Sequence, residues 1–463
     1  MLLSNREIDL ALAAGYVNDG KAKESLDLAS NLLNVDPDDA MALFITAWSF
    51  LKSDRFGIAY SLLKRSLELK VRYETLNNLA MACIGMHRLT EAETYLHKAL
   101  RRSEIDKVEK CSALNNLALI NIYNCNPSKA IEYAEQSLEI NQNQWDVSES
   151  LGYAHLMRDD YAKGWLGHEA LINRAKARKY PVPNGIPYWM GENVSSLYIR
   201  GEQGVGDEIS FASCIPDALA ETPNIALECD AKLEGLFRRS FPLAKVYGTR
   251  KTDSRDWMED YQFDAHCLSG TLLRYYRQKR ADFKGTPYLV ADHERRVQWK
   301  ALLDMLPGKK VGIAWTGGLG NTFRSRRSLT LEAMLPLLKT PGISWVSLQY
   351  LDPTDEIQDF EDAHGIKIHH WKRAAESADY DDQAALIMEL DSVVSVTTAV
   401  VHLCGALGKE AHVLVPSKPR WFYGLTGSRL PWYNSVELHR QKADKWPFDG
   451  IIGRIAPKQL EVA

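Results

Sequence analysis

Small side chains recur through the first third of the chain at a nearly constant interval, and that interval restricts the fold more than any other feature. Ser25, Ala59, Ala92, Ala130 and Gly164 stand 34, 33, 38 and 34 residues apart. Around them helical apolar patterns alternate with short breaks. Leu12-Ala13 with Tyr16, Gly20 and Pro37 mark the first unit, Ala47 the second, Leu79-Ala80 the third, Leu117-Ala118 the fourth, and Leu151-Gly152 with Tyr161 the fifth. One helix–turn–helix unit of this size cannot bury its own apolar face, so the units must stack, with small residues where helices cross. The longer step places its extra residues around Ser103 to Glu109, in a loop.

A period near 34 with small residues at the crossings resembles the tetratricopeptide repeat. The expectation is a helical array over residues 1–175 whose concave face takes a protein, peptide or glycan partner. Asn77, Asn78, Asn115, Asn116 and Asn121 fall on first helices of repeats, the side that lines such a groove. The alternative is a structural cap that stiffens the neighbouring domain.

Composition narrows the class. Hydrophobic residues make up 45% and charged residues 25% of 463, as in soluble globular proteins, and this length calls for roughly three domains. A net charge of −4 gives no global attraction to nucleic acid or anionic lipid. Arg274 to Arg280 interleaves aromatics with cations, but without a second such patch it reads as a solvated helix face. Seven cysteines form no C-x-x-C pair, which predicts free thiols. Acidic charge near the N-terminus and the lack of a run near ~20 apolar residues predict a cytoplasmic protein without a membrane span.

After the proline-rich stretch Tyr180 to Pro187, expected to be extended, strands alternate with helices. This pattern predicts two Rossmann-like α/β domains, residues 176–305 and 306–463, each with a parallel sheet. In the first, Leu197-Tyr198-Ile199 runs into a turn carrying Gly201, Gly204 and Gly206, and Asp207 stands where helical spacing begins. The turn matches neither the G-x-G-x-x-G dinucleotide fingerprint nor a phosphate P-loop. Asp207 is therefore either a catalytic carboxylate or the cap of the next helix.

The second domain opens with Lys310-Val-Gly-Ile-Ala-Trp315 and the turn Thr316-Gly317, with Arg324, Arg326 and Arg327 nearby. Strand Asp391 to Val396 leads to Thr397 and Thr398 at the start of a helix carrying His402. Two hydroxyls and unpaired N–H groups at a helix N-terminus suit a diphosphate; plain capping by Thr398 is the alternative. Asp379-Tyr-Asp381 matches the D-x-D pattern of metal-dependent transferases but precedes a helix, so capping is expected. His369-His370 has no partner cluster at ligand spacing, and no metal is expected.

With these residues in hand, the chain resembles bacterial tetratricopeptide-repeat glycosyltransferase-like proteins, whose catalytic half is similar to the heptosyltransferase family of the GT-B fold. The resemblance rests on Arg200-Gly-Glu-Gln-Gly-Val-Gly-Asp207 with Pro216, on Gly312-Ile-Ala-Trp-Thr-Gly317 with Arg327-Ser328, and on Ser395 to His402 through Lys409. It implies Asp207 as the base, and a nucleotide-sugar donor site including Thr397, Thr398 and His402. Gly204, Gly206, Thr316, Gly317 and Arg327 complete the expected donor site. The family often has Asp-Thr where this chain has Thr397-Thr398. The expected activity is inverting, metal-independent glycosyl transfer to an acceptor hydroxyl; the alternative is a non-catalytic scaffold.

Overall fold

The computed structural model describes residues 4–170, 185–252, 254–318, 324–375 and 379–457. Most of the proline-rich stretch from Tyr180 lies outside them. Contacts divide the chain into two compact units, residues 1–155 and 156–463.

The first unit consists of paired helices: α1 (Asn5–Asn18) with α2 (Ala22–Val35), α3 (Ala40–Lys52) with α4 (Phe56–Leu69), α5 (Tyr73–Gly85) with α6 (Leu89–Leu100), and α7 (Lys107–Tyr123) with α8 (Pro127–Ile140). Local chemistry starts several of them. Ser4 and Glu7 form a capping box on α1, and Asp106 and Glu109 repeat it on α7. Asp39 accepts the amides of Met41 and Ala42 at 2.9 and 3.1 Å, and Pro127 opens α8 behind Asn126.

The turn inside each repeat contains one residue of left-handed backbone: Gly20 (φ 76°), Asp54 (57°), His87 (62°), Cys125 (56°) and Asp159 (59°). These positions are spaced like the small residues. All five small residues are buried on second helices of their pairs, so the turn and the crossing keep one register. The long step is shared between the linker from α6 to α7 and α7 itself, which has 17 residues against 13 in α3 and α5, so Lys107 to Glu109 are helix where a loop was expected.

Of the asparagines expected on the groove, Asn116 donates to Asn77 Oδ1 at 2.9 Å and Asn115 to Gln144 Oε1 at 3.1 Å. Asn121 is a correction: it is 4% exposed and its amide donates to Leu117 O at 2.8 Å, within its own helix.

Helix α9 (Trp145–Leu156) leads to α10 (Tyr161–His168), which belongs to the second unit. There Trp165 is fully buried and donates to Arg277 O at 2.7 Å. Arg277 is itself 3% exposed and holds Ser213 O and Asp217, so within the 274–280 stretch Arg277 is buried where a solvated face was expected, while Gln278, Lys279 and Arg280 are exposed.

Two sheets follow. The first comprises β1 (Ser196–Arg200), β2 (Asn224–Glu228), β3 (Lys245–Tyr247) and β4 (Ala265–Leu268), all parallel in the order β3-β2-β1-β4. The second comprises β5 (Lys309–Ala314), β6 (Ile343–Ser347), β7 (Ile368–His369), β8 (Ser392–Val396), β9 (Ala411–Val415), β10 (Arg429–Leu430) and β11 (Tyr433–Arg440). Its order is β10-β11-β9-β8-β5-β6-β7, parallel except for the β10–β11 pair. Continuous apolar runs such as Val393-Val394 are buried on both faces, as parallel strands require. In each sheet the order reverses beside its first strand, β1 or β5, and the chain leaves that strand into a glycine turn. Among the described residues no helix is long and apolar enough to cross a membrane.

Candidate functional site

The first wall of the site grows from β1. Gly201 donates to Glu228 O at 2.7 Å, and a Cβ there would meet that oxygen at 2.9 Å, so only glycine fits. Gln203 follows in left-handed backbone, with its carbonyl held by Arg250 Nη1 at 2.7 Å. Arg250 in turn lies 2.6 Å from Glu208, whose other oxygen accepts Asp230 N–H at 2.9 Å. This buried ion pair fixes the entry to helix α11 (Val205–Phe211).

Asp207 is the third residue of α11, and its Oδ2 accepts the Gly204 N–H at 3.0 Å. The carboxylate thus caps its helix and also lines the cleft, so capping and cleft lining coexist. Burial pushes its pKa above the ordinary carboxylate value, and nearby Glu202 adds to that, while Arg420, the Gly204 N–H and His168 pull it back.

The opposite wall comes from the second sheet. After β5, Gln349 Oε1 accepts the amides of Trp315 and Thr316 at 3.3 and 3.2 Å, and its amide donates to Thr316 O at 3.3 Å. Gly317 donates to Ser328 Oγ at 3.0 Å, and a Cβ on it would strike Thr398 Cγ2 at 2.9 Å. Arg327 hydrogen-bonds the Thr397 carbonyl and lies 3.4 Å from its Oγ1. Thr398 then caps helix α12 (Ala399–Leu407), accepting the Val400 N–H at 3.2 Å. His402, 8% exposed, has its pKa pushed down to about 3 by burial and by Arg327, so it is neutral at physiological pH. Its Nδ1 lies 3.3 Å from Tyr433 Oη, and its ring meets Phe422 edge-on at 4.4 Å.

The two walls meet closely. A Cβ on Gly206 would lie 3.2 Å from His402 Cδ2 and 3.3 Å from Ala399 Cα, so α11 and α12 start side by side. Between them is a cleft of about 360 Å³. Gly204, Gly206, Asp207, Arg327, Thr398 and His402 line it together. Thr316, Gly317 and Thr397 stand behind that lining: Gln349 and Ser328 brace the first two, and Thr397 holds Arg327. Sequence reasoning missed Arg420, Tyr350, Tyr380, Gln383 and the aromatic run Trp421-Phe422-Tyr423, which also line the cleft. A cation followed by three aromatics just past a buried strand was the available signal for Arg420.

Asp379 accepts both guanidinium nitrogens of Arg295 at 2.8 and 3.0 Å and the Asp381 N–H at 3.0 Å. Asp381 pairs with Arg239. The D-x-D carboxylates are thus occupied by arginines, and Asp379 caps the following turn. The sequence singled out no metal cluster, but the fold gathers His412, Glu437 and His439 from two strands.

Residues 72–143 match the tetratricopeptide-repeat family. Protein FlbA of Caulobacter vibrioides is 32% identical over 312 residues, covering 64% of this chain and 51% of that protein. The chain thus spans about half the length of this curated relative. Among solved structures, PilF of Pseudomonas aeruginosa shares 18% identity, covering 47% of this chain and 85% of that one, with a TM-score of 0.35. A MamA crystal structure shares 18% over 39% of this chain and all of its own, with a TM-score of 0.31. Superpositions this loose transfer nothing further. The chain carries tetratricopeptide repeats in an N-terminal helical array, followed by a region of parallel sheets and helices.

Proposed function

We propose that the second unit is a nucleotide-sugar-dependent glycosyltransferase of the GT-B class, inverting and independent of metal, with the repeats binding a protein or glycan acceptor. The observation that carries this reading is Asp207: a half-buried carboxylate of raised pKa in a cleft whose other wall supplies Arg327, Thr398 and a helix start. As the acceptor oxygen bonds to the sugar's C1, Asp207 takes its proton, and the bond from C1 to the departing diphosphate breaks. The charge released onto the diphosphate is met by Arg327, Arg420 and the N-terminal amides of α12. Attack from the side opposite the leaving group inverts C1. The aromatic run 421–423 offers a surface for a nucleobase or sugar.

Asp207→Asn tests this directly. Asparagine keeps the hydrogen bond to Gly204, so fold and donor affinity are expected to persist while turnover falls roughly 10²–10⁴-fold. Unchanged turnover with a lowered melting temperature reduces Asp207 to a cap. Arg327→Ala is expected to weaken a nucleoside diphosphate more than the bare nucleoside; equal weakening removes its assignment to phosphate.

A second reading, a scaffold without turnover, is favoured by Thr397, whose carbonyl ties up Arg327 in the cleft. A panel of nucleotide sugars assayed for released nucleotide separates the two. No release from any donor, with acceptor candidates present, selects the scaffold.

A further inference from the structure

We propose that His412, Glu437 and His439 bind a divalent transition metal, with Zn²⁺ the ion their donor set suits best. Strands β9 and β11 run parallel, with Glu437 opposite His412 and His439 opposite Leu414. Side chains alternate along a strand, so 437 and 439 share the face on which 412 lies. His412 Nδ1 is 3.2 Å from His439 Nε2 and 3.9 Å from Glu437 Oε2. All three donor atoms lie within 4.8 Å of one another.

A tetrahedral zinc ion, with bonds of about 2.0–2.2 Å to nitrogen and oxygen, sets its donors roughly 3.3–3.5 Å apart. The imidazole pair already has that spacing, and the flexible Glu437 side chain closes the remainder. Water can take the fourth position, since His439 and Glu437 are only half-buried.

A plain N–H···N bond between two neutral imidazoles also accounts for 3.2 Å and is the competing arrangement; it leaves unused the Glu437 carboxylate that shares their face of the sheet. The His412 ring is 1% exposed, and a carboxylate approaches each of its nitrogens: Glu437 at Nδ1, and Glu410 Oε1 at 3.3 Å from Nε2. The Glu410 contact is off-axis for a hydrogen bond, so Nε2 is buried without one. A neutral imidazole has a single N–H and can satisfy a carboxylate on one side only. Metal at Nδ1 leaves the proton on Nε2, the side on which Glu410 stands 3.3 Å away, as carboxylates stand behind metal-bound histidines.

The second oxygen of Glu437 faces Arg454 Nη2 at 3.7 Å, on helix α13 (Phe448–Ile455). His412 is the second residue of β9, whereas the cleft lies past that strand's other end. The ion would therefore join β9 to β11, away from the cleft.

The test uses the full chain, stripped with EDTA, freed of chelator and titrated with Zn²⁺ against a chromophoric competitor, with melting temperature followed in parallel. The expected result is one tightly held zinc ion per chain and a raised melting temperature. His439→Ala and Glu437→Gln, chosen at half-buried positions so that the chain still folds, are each expected to weaken binding by at least about 10-fold. His369→Ala, elsewhere on the sheet, is expected to bind like the parent. No zinc bound by the folded parent, or equal affinity in His439→Ala and the parent, overturns the proposal and leaves a hydrogen-bonded histidine pair.

Discussion

The Asp207 carboxylate is held by the Gly204 N–H on one side, while burial and Arg420 act on it in opposite senses. Removing the Arg420 charge with Arg420→Gln is expected to raise the Asp207 pKa further, as read by carbonyl NMR titration, which needs no substrate. No movement would mean that solvent screens Arg420 from the carboxylate. The same shift bears on stability. A carboxyl whose folded pKa is raised adds stability fully present below its unfolded pKa and lost as pH rises through the folded one. Above the unfolded pKa this carboxyl therefore costs the fold, and Asp207→Asn is expected to be at least as stable as the parent at pH 7. That advantage shrinks as pH falls through the unfolded carboxylate value of about 3.9 and is gone well below it, where both side chains are neutral; urea unfolding at pH 7 and at about pH 3 checks it. Backbone effects separate as cleanly at two glycines of the first repeat. A methyl added at Gly15 or at Gly20 would meet no atom within 4 Å, but only Gly20 has positive φ. Gly15→Ala, inside α1, is expected to stabilise by about 0.5–1 kcal/mol, and Gly20→Ala to destabilise by about 1 kcal/mol. Equal signs in denaturant unfolding would refute the left-handed turn.

Between elements, the tightest constraint is where α12 crosses β11. A Cβ on Gly405 would clash with the ring of the fully buried Tyr433, closest at its Cγ. Gly405→Ala is expected to cost about 2–3 kcal/mol, because neither helix nor strand can retreat in a packed core; a loss below about 0.5 kcal/mol in urea unfolding would show that the contact yields. Strand β11 is also the element the sequence hid best. Tyr433 to Arg440 buries Tyr433, Val436 and Leu438, but Asn434, Glu437 and His439 interrupt the apolar run that marked β5 or β8. A strand beside a short antiparallel edge carries polar residues that a doubly covered one cannot. The glycine turns were legible because strand, glycine and helix periods change within a few residues. Arg420 and the aromatics of the cleft were not, since a loop has no period. Arg277 misled for a related reason: its neighbours look solvated, and only the fold supplies Ser213 and Asp217 to bury it.

Across the whole molecule, the array was the most legible part, because its signal repeats and each copy reinforces the others. The cleft was legible only on one side at a time. No local pattern told that Gly206 would press on Ala399, 193 positions away, and that meeting is what brings Asp207 and Arg327 into one cleft. The left-handed turns of the array have a further consequence, for how such a chain can be cut and rejoined. Arg55 and Arg88 follow Asp54 and His87, and each is the N-cap of its helix, α4 or α6, with nearly the same backbone angles, φ −88° in both and ψ 61° and 60°. Excising residues 55–87 therefore joins Asp54 to Arg88 across a junction that both ends already fit. Copy number can change in this array by recombination without redesign of any turn. The shortened chain is expected to keep its helicity per residue and a cooperative transition at lower denaturant; a non-cooperative melt by circular dichroism would show that the repeats are not interchangeable.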